Sequence, residues 1–133
     1  MKILIKGGRV IDPASGTDQI ADVAVAAGHI LAVGRIPADF HPGKTIDASG
    51  CIVAPGLVDL AVRLREPGHE HANTLQSEMA AAVAGGVTSL VCPPDTDPVL
   101  DEPGLVEMLK FRSERLHQSR VYPLGALTRG LKG

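Results

Sequence analysis

The sequence predicts an α/β chain: a small β unit followed by the first βα units of a (β/α)8 barrel, too few to close it. Three observations predict this. Residues 1–53 carry strand and turn signals with no helical period. From Ala54-Pro55-Gly56 onward, strand and helix patterns alternate. The 133 residues fall short of the roughly 250 that a closed barrel takes. Two segments follow, 1–53 and 54–133, the second holding two to three βα units. The sequence stops at Leu131-Lys132-Gly133, just past a strand signal, so a piece of a longer protein is expected. A smaller open α/β fold is the alternative.

The elements are justified in turn. Ile3-Leu4-Ile5 reads as a strand ending at Gly7-Gly8, and Arg9-Val10-Ile11 as another ending at Asp12-Pro13. Asp22–Val25 and His29–Val33 flank Ala26-Ala27-Gly28, a hairpin signal. Thr45–Asp47 and Cys51–Val53 flank Ala48-Ser49-Gly50 in the same way. Leu57–Leu64 is a strand. Thr74–Ala84 is a helix, with Asn73 or Thr74 as N-cap and Gly85-Gly86 as its stop. Val87–Cys92 is a strand. Pro103 opens a second helix whose Leu105, Val106, Leu109 and Leu116 share one face. Val121–Leu124 closes the series as a strand, and βαβαβ order implies a parallel sheet.

Composition excludes several functions. The net charge is −2, with no basic stripe and only Phe40, Phe111 and Tyr122 as aromatics, so nucleic acid is not an expected partner. No apolar run approaches a membrane span of roughly 20 residues, and the N-terminus is too short in apolar residues for a signal peptide. Cys51 and Cys92, isolated from each other, predict reduced and buried thiols in a cytoplasmic protein.

Leu57–Arg65 is the most informative stretch. Side chains alternate across a strand. Val58, Leu60, Val62 and Leu64 then form an apolar face that packs under helices. Asp59, Ala61, Arg63 and Arg65 face the barrel lumen, toward the end where barrel active sites are built. The plain alternative is a solvated charged face, because lumen charges are costly unless paired.

Pro55-Gly56-Leu57-Val58-Asp59-Leu60, then Leu64-Arg65-Glu66-Pro67-Gly68, then Glu70-His71, resemble the dihydroorotase signature of the amidohydrolase superfamily. So do Ala80–Thr88 and Pro94-Asp95-Thr96-Asp97-Pro98, while Lys6–Pro13 and Asp47-Ala48 are similar to the start of amidohydrolases. The resemblance implies a fold: the N-terminal part of a small β-sandwich, then the start of the amidohydrolase barrel. It also implies a chemistry, in which two histidines spaced i, i+2 on this strand bind catalytic zinc.

In this sequence those two positions are Ala61 and Arg63. Alanine offers no ligand atom, and arginine stays protonated, accepts no bond and repels a cation. No metal ligand or catalytic residue is therefore expected in this segment, and zinc only if later ligands suffice. Asp59 matches the family motif, but one carboxylate is not a metal site. His69 and His71 repeat the His-x-His spacing but follow Pro67-Gly68, in a loop where histidines are mostly solvated. His29, His41 and His117 are isolated and expected at the surface.

The substrate side is half kept. By the resemblance, Arg65 stands for the arginine that grips the substrate carboxylate, a task suited to a guanidinium. Asp95 stands for an asparagine that also contacts substrate, but an ionised carboxylate repels an anion. Two expectations follow: that Arg65 and Asp95 pair in an emptied site, and that Arg63 neutralises carboxylates from later strands. Asp95 and Asp97 as simple turn residues are the alternative.

The first functional reading is a noncatalytic dihydroorotase-like protein of pyrimidine biosynthesis. By family analogy it is an oligomeric structural partner of aspartate carbamoyltransferase. The others are an active zinc-dependent dihydroorotase or related cyclic amidohydrolase with a modified metal site, and a small stand-alone α/β binding module.

Overall fold

A computed structural model describes residues 1–133. The chain divides into two compact units, Met1–Pro55 and Gly56–Gly133.

In the first unit, β1 (Lys2–Asp12) lies between β2 (Thr17–Ala26) and two short strands, β4 (Lys44–Asp47) and β5 (Ile52–Val53), with β3 (His29–Val33) outside β2. Two expectations are corrected here. Gly7-Gly8 does not end a strand: β1 runs through it with a register shift between Ile5 and Gly8. Gly7 takes φ +72°, which glycine adopts without penalty, and its N–H donates to Asp22 Oδ1 at 2.8 Å. Nor do β4 and β5 form a hairpin. Both pair in parallel with β1, β4 beside Ile3–Lys6 and β5 beside Arg9 and Val10.

The Ala48–Gly50 turn is thus a sidestep that matches the kink in β1. Asp47 Oδ1 accepts from Ser49 N at 2.9 Å, Lys6 O accepts from Ala48 N at 2.8 Å, and Cys51 O accepts from Arg9 N at 2.9 Å. The β2–β3 hairpin forms as expected, turning through Ala27 and Gly28, both at positive φ. β2 also reaches back to Thr17, five residues before the predicted strand start at Asp22. Val10, Ala21 and Val23 form this unit's small core.

The second unit carries the predicted alternation: β6 (Leu57–Asp59), α1 (Leu75–Ala84), β7 (Val87–Cys92), α2 (Pro103–Glu114) and β8 (Arg120–Pro123), then a 3-10 turn at Arg129–Leu131. The three strands form a parallel sheet in the order β6-β7-β8. Thr74 caps α1 in a capping box with Ser77, and Gly86 follows its end at φ +80°. Pro103 opens α2. Leu64, Leu75, Met79, Leu90, Cys92, Leu100, Leu109 and Val121 make one core, with Leu105, Val106 and Leu116 packed against it. No helix is long and apolar enough to cross a membrane.

The predicted strand Leu57–Leu64 is cut short after Asp59. Asp59 Oδ1 accepts from Ala61 N at 3.0 Å, a local turn that competes with the ladder. Pairing resumes once, from Val62 N to Val91 O at 2.9 Å. The predicted apolar face is not uniformly buried: Val58 and Leu60 are 60% and 72% exposed, whereas Leu64 is fully buried.

Candidate functional site

Beyond β6 and β7, the chain builds a cleft of about 190 Å³ from Arg63, Leu64, Arg65, His69, Cys92, Pro93, Asp95 and Thr96. Two loops supply it, 60–74 after β6 and 93–102 after β7. Backbone contacts hold them together. Pro67 O accepts from Asp97 N at 3.2 Å. Gly68, at φ +100°, lies so close to Asp97 that a β-carbon there would fall 2.2 Å from its carbonyl oxygen. The Glu66–Pro67 and Asp97–Pro98 bonds are both cis.

The expected Arg65–Asp95 pair is replaced by another. Arg63 holds Asp95: Nε and Nη2 both meet Asp95 Oδ2, each at 2.8 Å. Regular alternation puts Arg63 and Arg65 on one face and does not choose between them, and the Arg65 pairing came from the resemblance. Arg63 is 58% and Asp95 38% exposed, so the pair contributes modestly to stability, about 0–1 kcal/mol. Arg63 thus neutralises a carboxylate of its own segment. Arg65 is exposed, forms no ion pair and lines the cleft beside His69. Its φ of +64° is unusual for a residue with a side chain. Buried Leu64 and Glu66 on either side, and a 2.8 Å bond from His69 N to Arg65 O, hold that conformation.

Glu66 was the residue that sequence reasoning passed over. Its Oε1 accepts from Leu75 N at 2.7 Å, satisfying a free donor at the start of α1. Its Oε2 is buried and in ion-pair contact with Arg112 of α2. The only signal in the sequence was its place inside the Arg65–Gly68 motif.

Cys92 and Cys51 differ. Cys92 is 1% exposed in the cleft wall, and burial pushes its thiol up from the ordinary range. Asp95 pushes the same way, while a Leu64 backbone hydrogen bond and Arg63 oppose it. Cys51 is exposed, against expectation, where the Ala48–Gly50 turn leads into β5.

His69 and His71 are both exposed, with ring centroids 6.1 Å apart, edge to face. Between them the Glu70 carboxylate accepts from the backbone of Glu70 and Gly68, which holds it below the usual carboxylate range. His29, His41 and His117 are exposed as expected.

A model of the dihydro-orotase-like family matches residues 50–133. The chain belongs to the dihydroorotase-like family. A dihydroorotase-like protein of Pseudomonas aeruginosa is 53% identical over the whole chain, which spans 31% of that protein's length. A dihydroorotase of Syntrophotalea carbinolica is 43% identical over the same 133 residues, again with 31% of its length covered. Among solved structures, the L-hydantoinase (dihydropyrimidinase) of Arthrobacter aurescens superposes with a TM-score of 0.76 at 26% identity, over 93% of this chain and 27% of that one. The chain therefore spans about a third of the length of these relatives, and its sheets and helices match the opening part of amidohydrolase (β/α)8 proteins.

Zinc, which the family implies, does not fit the residues present. Ala61 supplies no donor, Arg63 is a cation engaged with Asp95, and no three His, Cys, Asp or Glu side chains converge. What the cleft offers is a pair of guanidiniums, one committed to Asp95 and one free.

Proposed function

We propose that the protein works as a noncatalytic dihydroorotase-like protein of pyrimidine biosynthesis, a structural partner of aspartate carbamoyltransferase. One observation carries this reading: at a metal-histidine position the chain places Arg63, already satisfied by Asp95. A hydrolase of this family needs a Lewis acid and an activated water, and neither Ala61 nor Arg63 helps to hold them. The identity to a Pseudomonas aeruginosa protein named dihydroorotase-like, rather than dihydroorotase, supports it. The partner rests on family analogy.

The test uses the full-length protein. It is expected to carry substoichiometric zinc, to leave dihydroorotate unhydrolysed, and to co-elute with aspartate carbamoyltransferase in size-exclusion chromatography. Turnover comparable to that of the Syntrophotalea carbinolica relative would overturn the noncatalytic reading, and separate elution would overturn the partnership.

A second reading is a zinc-dependent cyclic-amide hydrolase whose ligands come from outside these residues. The uncommitted Arg65 in the cleft, and 43% identity to a protein named dihydroorotase, favour it. The same turnover assay, with and without a chelator, decides between the two.

A further inference from the structure

We infer that Arg63 and Asp95 form a latch across the cleft: a cation carried by the chain ties the end of the β6 segment to the loop after β7, so that closure of these loops needs no ion from solution. This deepens the function proposed for the protein and rests on its metal-free site, but not on its lack of turnover. The geometry is specific. Two nitrogens of one guanidinium converge on a single oxygen of Asp95, 32 residues away in sequence. The two loops already meet at Pro67 O and Asp97 N and at the close approach of Gly68 to Asp97. The latch leaves Arg65 and His69 as the cleft's uncommitted polar groups, and it shares the cleft with the buried thiol of Cys92.

Cys92 reports on the latch. In the full-length protein, its alkylation by iodoacetamide is followed by peptide mass spectrometry. Arg63→Gln and Asp95→Asn are each expected to accelerate labelling several-fold, because either one opens the seam. The double variant is expected to label no faster than the singles. The exchange Arg63→Asp with Asp95→Arg is expected to return the rate toward that of the parent.

Electrostatics alone makes a different forecast. Arg63 favours the Cys92 thiolate and Asp95 disfavours it, so without a latch Arg63→Gln slows labelling while Asp95→Asn speeds it. Slower or unchanged labelling in Arg63→Gln therefore overturns the latch. So does acceleration of the parent protein's labelling by a chelator and its reversal by zinc, which would mean that a metal holds the cleft. Dihydroorotate hydrolysis measured on the same samples keeps the two ideas apart. Turnover with an intact latch removes only the noncatalytic reading, and an inert protein without coupled labelling removes only the latch.

Discussion

The two units are stabilised by different means. Met1–Pro55 is mostly backbone: long ladders between β1 and its neighbours, a bulge at Gly7-Gly8, and a core of Val10, Ala21 and Val23. Ile20, Ile30, Leu31 and Ile52 of this unit remain exposed. Gly56–Gly133 is mostly side chain: eight buried residues on strands, helices and loops share one core, and its sheet has only three short strands. The difference shows where a functional site finds rigid support. The cleft grows from loops, but Leu64 and Cys92, which line it, are themselves core residues. Its geometry is therefore tied directly to the packing beneath.

The sharpest way to break the comparison is Leu64→Ala. Leu64 is fully buried between Arg63 and Arg65. Removing it leaves a cavity and should cost about 2–5 kcal/mol in denaturant unfolding of the full-length protein. Val23→Ala in the smaller core should cost less, about 1–2 kcal/mol, since fewer carbons are lost. Equal losses would show that the two cores are alike after all.

Next is Gly68→Ala. The added carbon meets Asp97 backbone, which cannot swing aside, and the φ of +100° is strained for alanine. A loss of about 2–4 kcal/mol is expected from strain and overpacking together. Gly16→Ala, also at positive φ but with open space around it, serves as the control and should lose only about 1 kcal/mol. Similar losses at both glycines would mean that the loop seam is not tight.

How much of this was legible beforehand depends on the range of the interaction. The helices, the parallel sheet and the hairpin at Gly28 follow from periodicity and from local turn chemistry, and they formed where expected. The errors came where a longer-range or competing bond decided. The strand looked continuous from Leu57 to Leu64, but the Asp59 carboxylate accepts from Ala61 N and β6 ends there. Asp95 pairs with Arg63 rather than Arg65, two residues that alternation places on one face. The Ala48–Gly50 turn carries ordinary hairpin residues, and only the kink in β1, 40 residues earlier, makes it a sidestep. In the site, Arg63, Arg65 and Asp95 were legible as a charged group near a strand end. Glu66 was not, because its partners Leu75 and Arg112 lie 9 and 46 positions away.

Glu66 supplies the most discriminating prediction. Its carboxylate does two jobs, accepting from Leu75 N and facing the charge of Arg112. Glu66→Gln keeps an acceptor for Leu75 and removes only the charge. Arg112 is about half exposed, so water compensates it, and the loss should be about 1 kcal/mol. Glu66→Ala removes both and strands a buried donor at the start of α1, at about 2–3 kcal/mol. The difference between the two variants isolates the hydrogen bond to α1 from the ion pair to α2. If Glu66→Gln costs as much as Glu66→Ala, the ion pair is the dominant tie, and the second unit depends on charge as well as on its apolar core.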